Sequence, residues 1–227
     1  MRIRSWAAAL ALFLLAEGAA RAAVKTEEVT YEHEGTKMKG LLAWDDAVKG
    51  ERPGVLVVHE WWGHDAYARR RAKALAKMGY TALAVDMYGQ GQRASHPKDA
   101  QKFSSKVMGD MALAEGRFLA AKKALSAHET VKAGAHAAIG YCFGGSVVLA
   151  MARAGVDLDL VASFHGGLAL PERTADTITP EVLVFHGGSD PFVKPEDVQT
   201  FVTDTMSAGA KLTFISYPGV KHSFTNP

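Results

Sequence analysis

Short unbroken apolar runs alternate along this chain with longer stretches whose apolar residues recur every three or four positions. The first pattern predicts strands buried on both faces, the second helices with one buried stripe. Gly54–His59 and Thr81–Asp86 read as such buried strands, and Ala135–Ile139, Leu160–Phe164, Val182–His186 and Lys211–Tyr217 read as further strands. Between them, Asp65–Met78 reads as a helix with Ala68, Ala72, Leu75 and Met78 on one face. Pro97–Ala127 reads as helix broken near Gly109, Ser146–Ala154 as helix, and Pro195–Ser207 as a helix opened by proline. Ahead of these, Val29–His33 and Met38–Trp44 read as an antiparallel hairpin around Gly35. Strands alternating with helices predict an α/β fold: a mostly parallel sheet, helices on both faces, and an antiparallel N-terminal hairpin. No repeat or long linker divides the chain, so residues 23–227 are expected to form a single domain.

The first 22 residues fall outside this pattern. Arg2 and Arg4 precede an apolar run, Trp6–Ala16, and small residues lead to Ala20-Arg21-Ala22. That run is shorter than the roughly 20 residues a membrane span needs. The segment reads as an export signal cleaved after Ala22, which implies a periplasmic protein. Its loss removes Arg2, Arg4 and Arg21 with Glu17, taking the formal charge from +2 to neutral. A neutral domain gives no electrostatic basis for binding nucleic acid or an acidic membrane. With one cysteine in 227 residues, no internal disulfide forms, and an exported lone thiol is a candidate reactive group.

Sheets of this kind carry their sites at the carboxyl ends of the strands. Those ends hold His59-Glu60, Asp86, Cys142, His165, His186 with Asp190, and His222. Cys142 lies in Gly140-Tyr141-Cys142-Phe143-Gly144-Gly145, between a predicted strand and a predicted helix. That is the arrangement of a nucleophile elbow, with sulfur where serine usually stands. A buried cysteine can also serve only as a small hydrophobe. As a nucleophile it needs a base, because the thiolate attacks and a free thiol titrates near about 8.5. His222 follows the last strand, and Asp190 follows the strand before it. A carboxylate fixes the tautomer of such a histidine. Taken singly, Asp190 could cap a turn and His222 could sit in a loop. Their order, Cys142, Asp190, His222, is the nucleophile–acid–base order of the α/β-hydrolase fold.

At this point the chain resembles the dienelactone hydrolase family. The segment around Cys142, His186-Gly187-Gly188-Ser189-Asp190-Pro191 and Lys221-His222-Ser223-Phe224 are similar to its three principal motifs. His59-Glu60-Trp61-Trp62-Gly63 and Asp86-Met87-Tyr88-Gly89 are similar to two more, and the likeness runs from about Val24 to the C-terminus. The resemblance implies Cys142 as nucleophile, His222 as base, Asp190 as its orienting acid, and Glu60 as a second carboxylate that helps to activate the thiol. It implies an oxyanion hole from the backbone N–H groups of Trp61 and Phe143. It further implies hydrolysis of a small-molecule ester, lactone or thioester, without metal or organic cofactor. Trp62, Tyr88 and Arg93 are expected around the substrate.

Two positions depart from the family. Its carboxylated lactone is held by two arginines, where this chain has Gly89 and Asn226. Arg93, Lys194 or Lys221 could take over that clamp; otherwise neutral substrates are expected. The chain also stops at Pro227, before a further helix that relatives carry, so apolar surface beside the last strand is expected to be open. His59 and His64 are five apart and follow a strand, which excludes the helical H-E-x-x-H zinc pattern. Arg69-Arg70-Arg71 lies on an amphipathic helix and reads as a solvated face. Rival readings are a non-catalytic binding module that keeps the pocket, and an exported redox sensor built on Cys142.

Overall fold

The computed structural model describes residues 24–226; the predicted signal segment lies outside them. Eight strands form one sheet: β1 (Val24–His33), β2 (Thr36–Asp45), β3 (Arg52–Val58), β4 (Thr81–Val85), β5 (Val131–Tyr141), β6 (Leu160–Phe164), β7 (Glu181–Gly187) and β8 (Leu212–Tyr217). Their order is β1-β2-β4-β3-β5-β6-β7-β8. β1 and β2 pair as a ten-residue antiparallel hairpin, and β2 joins β4 antiparallel. Every pairing from β4 through β8 is parallel. Five helices connect them: α1 (Ala66–Lys77), α2 (Pro97–Met108), α3 (Met111–Ser126), α4 (Phe143–Arg153) and α5 (Pro195–Ser207).

The strands predicted as buried on both faces are so. Val55, Val57, Ala82 and Ala84 face α1, while Leu56, Val58, Leu83 and Val85 face the core shared with α3 and α4. α1 presents Tyr67 with Ala68, Ala72 and Ala76, and the three alanines let the helix lie close on the alanines of β4. Met78, predicted on this stripe, instead caps the helix and is 71 % exposed, because the helix ends at Lys77. The predicted break at Gly109 separates α2 from α3, and Asp110 caps α3 by accepting from the Leu113 N–H. On β8, Ile215 and Tyr217 are exposed. Among the described residues no helix is long and apolar enough to cross a membrane.

This architecture aims one set of loops at one rim. The turns after β3, β5, β6, β7 and β8 carry Glu60-Trp61, Cys142, His165, Asp190 and His222. The parallel register brings them together: Val58 pairs with Gly140, Tyr141 with Phe164, Phe164 with Phe185, and Gly187 with Tyr217.

Candidate active site

Cys142 joins β5 to α4 in a backbone conformation L residues rarely adopt, φ +53° and ψ −117°. Of the five non-glycine residues with positive φ among those described, Cys142, His165 and Ser223 surround this one point. Such strain concentrates where geometry is imposed for function. The glycines make the turn sterically possible. A Cβ on Gly140 would stand 2.0 Å from the Gly144 carbonyl oxygen, and one on Gly144 would stand 2.4 Å from the Val58 carbonyl oxygen. The elbow predicted from Gly-x-Cys-x-Gly is therefore close-packed against β3.

The thiol is drawn in two directions. Burial, then the Glu60 carboxylate, push its pKa up to about 11; the Phe143 and Trp61 backbone N–H groups reach the sulfur and oppose the rise, while Asp190 adds to it. Phe143 opens α4, so its N–H lies at that helix's N-terminus. His222 Nδ1 is 2.7 Å from Asp190 Oδ2. The carboxylate accepts there and takes the Phe192 N–H on Oδ1 at 2.9 Å, so both oxygens are bonded. Asp190 is buried, and His222 lines the same cavity as Cys142.

Glu60 is also buried, but only half satisfied. Asn226 Nδ2 donates to Oε2 at 3.1 Å, while Oε1 has no hydrogen-bond partner among the described residues. Burial and the nearby Asp65 carboxylate push its pKa up to about 7, against the pull of Arg71. His59 holds the Glu60 loop. Its buried ring accepts the Met87 N–H on Nε2, so Nδ1 donates to the Glu60 carbonyl. Among the described residues no group of three His, Cys, Asp or Glu side chains is placed to hold a metal.

The cavity over Cys142 measures about 500 Å³. Trp61, Trp62, Met108, Phe143 and Phe192 line it with Glu60, His222 and the hydroxyls of Ser104, Ser105, Ser146 and Ser223. Tyr88 and Arg93, expected around the substrate, do not line it. Tyr88 is buried and donates its hydroxyl to the Trp61 carbonyl at 2.9 Å, bracing the loop after β3. Arg93 lines a separate depression with Asp65, beyond Trp62, because its strand-like pairing with Gly63 turns it away. Lys194 and Lys221 do not line the cavity either. Gly89 has φ +92°, and a Cβ there would stand 2.6 Å from Thr36 Cγ2, so no arginine fits this backbone without a shift. Asp86 is spent on the same turn, accepting the N–H groups of Lys39, Tyr88, Gly89 and Gly91.

Phe192 and Thr225 beside the site carry no signal in the sequence, and Asn226 and His165 stand out there for reasons other than the contacts they make. Phe192 is 73 % exposed and meets the His222 ring edge-on at 5.0 Å between centroids. Thr225 and Asn226 tie the segment after His222 back to the sheet, and nothing in the sequence signals those bonds. His165 was visible only as one polar residue among several at strand ends.

An eight-stranded, mostly parallel sheet with a cysteine elbow and an Asp–His pair on the following loops defines an α/β-hydrolase. The sequence pattern described as the dienelactone hydrolase family matches residues 38–227, and the chain belongs to that family of hydrolases. A solved structure titled m3DLH is 37% identical, with a TM-score of 0.86 over 90% of this chain and 86% of that one. A dienelactone hydrolase-like promiscuous phosphotriesterase from metagenomic libraries is 36% identical, also at a TM-score of 0.86 and with the same coverage. Protein usf of Aquifex pyrophilus is 27% identical over 203 residues, 87% of this chain and 86% of its own.

Proposed function

We propose that the protein hydrolyses uncharged carboxylic esters, lactones or thioesters through an acyl-enzyme on Cys142. The observation that carries this reading is the Asp190–His222 hydrogen bond of 2.7 Å on the rim of the cavity that holds Cys142. A thiol raised to about 11 is protonated at neutral pH and needs a proton acceptor at the moment of attack. With Nδ1–H donated to Asp190, His222 turns a free Nε2 to that task.

The steps follow. Sγ bonds to the acyl carbon while its proton passes to His222 Nε2. The carbonyl oxygen takes the electron pair and is held by the Phe143 and Trp61 N–H groups. Collapse of the tetrahedral centre expels the alkoxide or thiolate, which leaves with the proton from His222. Water then attacks the Cys142 thioester and gives one proton to His222; the second tetrahedral centre breaks its C–Sγ bond to release the acid, and Sγ takes that proton back from His222. Glu60 enters before the first step. Its carboxylate opposes ionisation of the thiol as a charge; with a pKa of about 7 it suits a transient role, taking the thiol's proton ahead of attack and passing it on to His222, which then holds it for the leaving group.

The absence of a cationic side chain from the cavity lining favours neutral acyl groups, and the tryptophans favour apolar or aromatic ones. The same feature favours a second class. The phosphotriesterase relative acts on neutral phosphorus esters by its title. A phosphoryl oxygen between the two N–H groups would meet the donors that serve an acyl oxygen. A screen of short p-nitrophenyl esters, lactones, thioesters and one p-nitrophenyl dialkyl phosphate, wild type against Cys142→Ala, tests both. Binding without turnover in the wild type would replace this reading with a binding module.

A further inference from the structure

His165 is fully buried, sits at φ +42° at the end of β6, and has no part in the steps above. Its Nδ1 lies 3.1 Å from the Cys142 backbone nitrogen and accepts that N–H, which it shares with the Phe164 carbonyl at 3.0 Å. An accepting Nδ1 fixes the proton on Nε2, which donates to Thr225 Oγ1 at 2.7 Å. The remaining protons then have one arrangement. Thr225 Oγ1 donates to the Tyr67 hydroxyl oxygen at 2.7 Å, and Tyr67 donates to the Thr225 carbonyl at 3.1 Å. Arg71 closes the set by donating to the Tyr67 oxygen and to the same carbonyl.

We infer that His165 is a positioning residue: a neutral clasp between the elbow backbone of Cys142 and Thr225, which sets the nucleophile against the base and Glu60. Thr225 is three residues beyond His222 and one before Asn226, so the segment 222–226 is tied at three points. His222 is held by Asp190, Thr225 by His165, and Asn226 holds Glu60. Of these ties only the Thr225–His165 bond runs to the backbone of the nucleophile itself. The His165 ring also packs edge-on to His222 and to Phe224, at 5.1 Å and 5.2 Å between centroids, and its Nε2 is 3.9 Å from Glu60 Oε1. Its neighbours favour the neutral state. Burial, then the charge of His222, hold its pKa down at about 4; Asp190 and its own backbone work the other way, and Arg71 adds to the fall. A protonated ring would lose the acceptor for Cys142 and repel the imidazolium that His222 becomes.

The inference rests on Cys142 and His222 as the reacting pair, and its test separates the two. Thr225→Val removes the hydroxyl and keeps the shape; Thr225→Ser keeps the hydroxyl. His165→Asn offers an acceptor near Nδ1 and cannot reach Thr225. The expected result is a kcat loss of about tenfold or more in Thr225→Val and His165→Asn, with KM within about twofold and Thr225→Ser near wild type. The double variant should lose no more than His165→Asn alone, because both break one bond. Iodoacetamide should alkylate Cys142 more slowly in the same variants. Thr225→Val with unchanged kcat and unchanged alkylation overturns the clasp, as do losses that multiply in the double variant. Should His165→Asn fail to fold, Thr225→Val against Thr225→Ser decides alone. A wild type that hydrolyses no ester would remove the hydrolase reading, and the alkylation rates would still decide on the clasp.

Discussion

Two loops bring a buried carboxylate to Cys142, and they treat it in opposite ways. The loop after β7 gives Asp190 a full set of partners, the Phe192 N–H on one oxygen and His222 on the other. The loop after β3 leaves Glu60 Oε1 unpartnered among the described residues and supplies only the neutral Asn226 amide to Oε2. A buried carboxylate without strong donors holds its proton longer, and Glu60 is such a group. The pair therefore divides the work. On the proposed reading Asp190 orients His222 and Glu60, raised to about 7, exchanges a proton.

Breaking the satisfied side should cost most. Asp190→Asn removes the charge that fixes the His222 tautomer, and turnover should fall by about 10³–10⁴ while the fold persists. Steady-state kinetics beside circular dichroism check it; a loss under about tenfold would return Asp190 to a turn-capping role.

Breaking the unsatisfied side should cost less activity and add stability. Glu60 has a folded-state pKa raised from 4.5 to about 7. The folded state therefore holds the proton more tightly than the unfolded chain. Its contribution to stability is fully present below about pH 4.5 and is lost as pH rises through about 7. Glu60→Gln should recover on the order of 2 kcal/mol above pH 7, seen as a higher Tm at pH 8 with little change at pH 4. Turnover should fall about tenfold and lose its rate limb near pH 7. Equal Tm values at pH 8 would show that Glu60 is not held uncompensated.

The comparison sharpens at the substrate. Asn226 stands where the family resemblance expects an arginine, and the cavity lining carries no cation. A methyl-capped substrate should exceed its carboxylated twin in kcat/KM by about tenfold, the size of one charge-assisted contact forgone. A preference for the carboxylate would mean that a cation reaches the cavity. The smallest effect belongs to Phe192, which packs on His222 from an exposed position. Phe192→Ala should raise KM about threefold for aromatic esters and leave kcat unchanged.

What was legible in the sequence followed from period and punctuation. β3 and β4 are buried on both faces, so their runs are continuously apolar and the period is plain. The elbow was legible because Gly140 and Gly144 have no room for a Cβ. Substrate-facing residues were legible only in part: Trp62 lines the cavity as expected, but a side chain's direction at a loop depends on tertiary pairing. Arg93 is turned away by its bridge to Gly63, and Tyr88 is consumed by the Trp61 carbonyl. His165 carried no motif; its role depends on a 2.7 Å bond to Thr225, sixty residues away along the chain.

The central claim is that Cys142 carries the acyl group. Intact-mass measurement after rapid acid quench of wild-type protein with a p-nitrophenyl ester tests it most directly. The account predicts one acyl mass added, mapped to the peptide containing Cys142, and neither adduct nor turnover in Cys142→Ala. An adduct on another residue, or a Cys142→Ala protein that still turns the ester over at the wild-type rate, would contradict it.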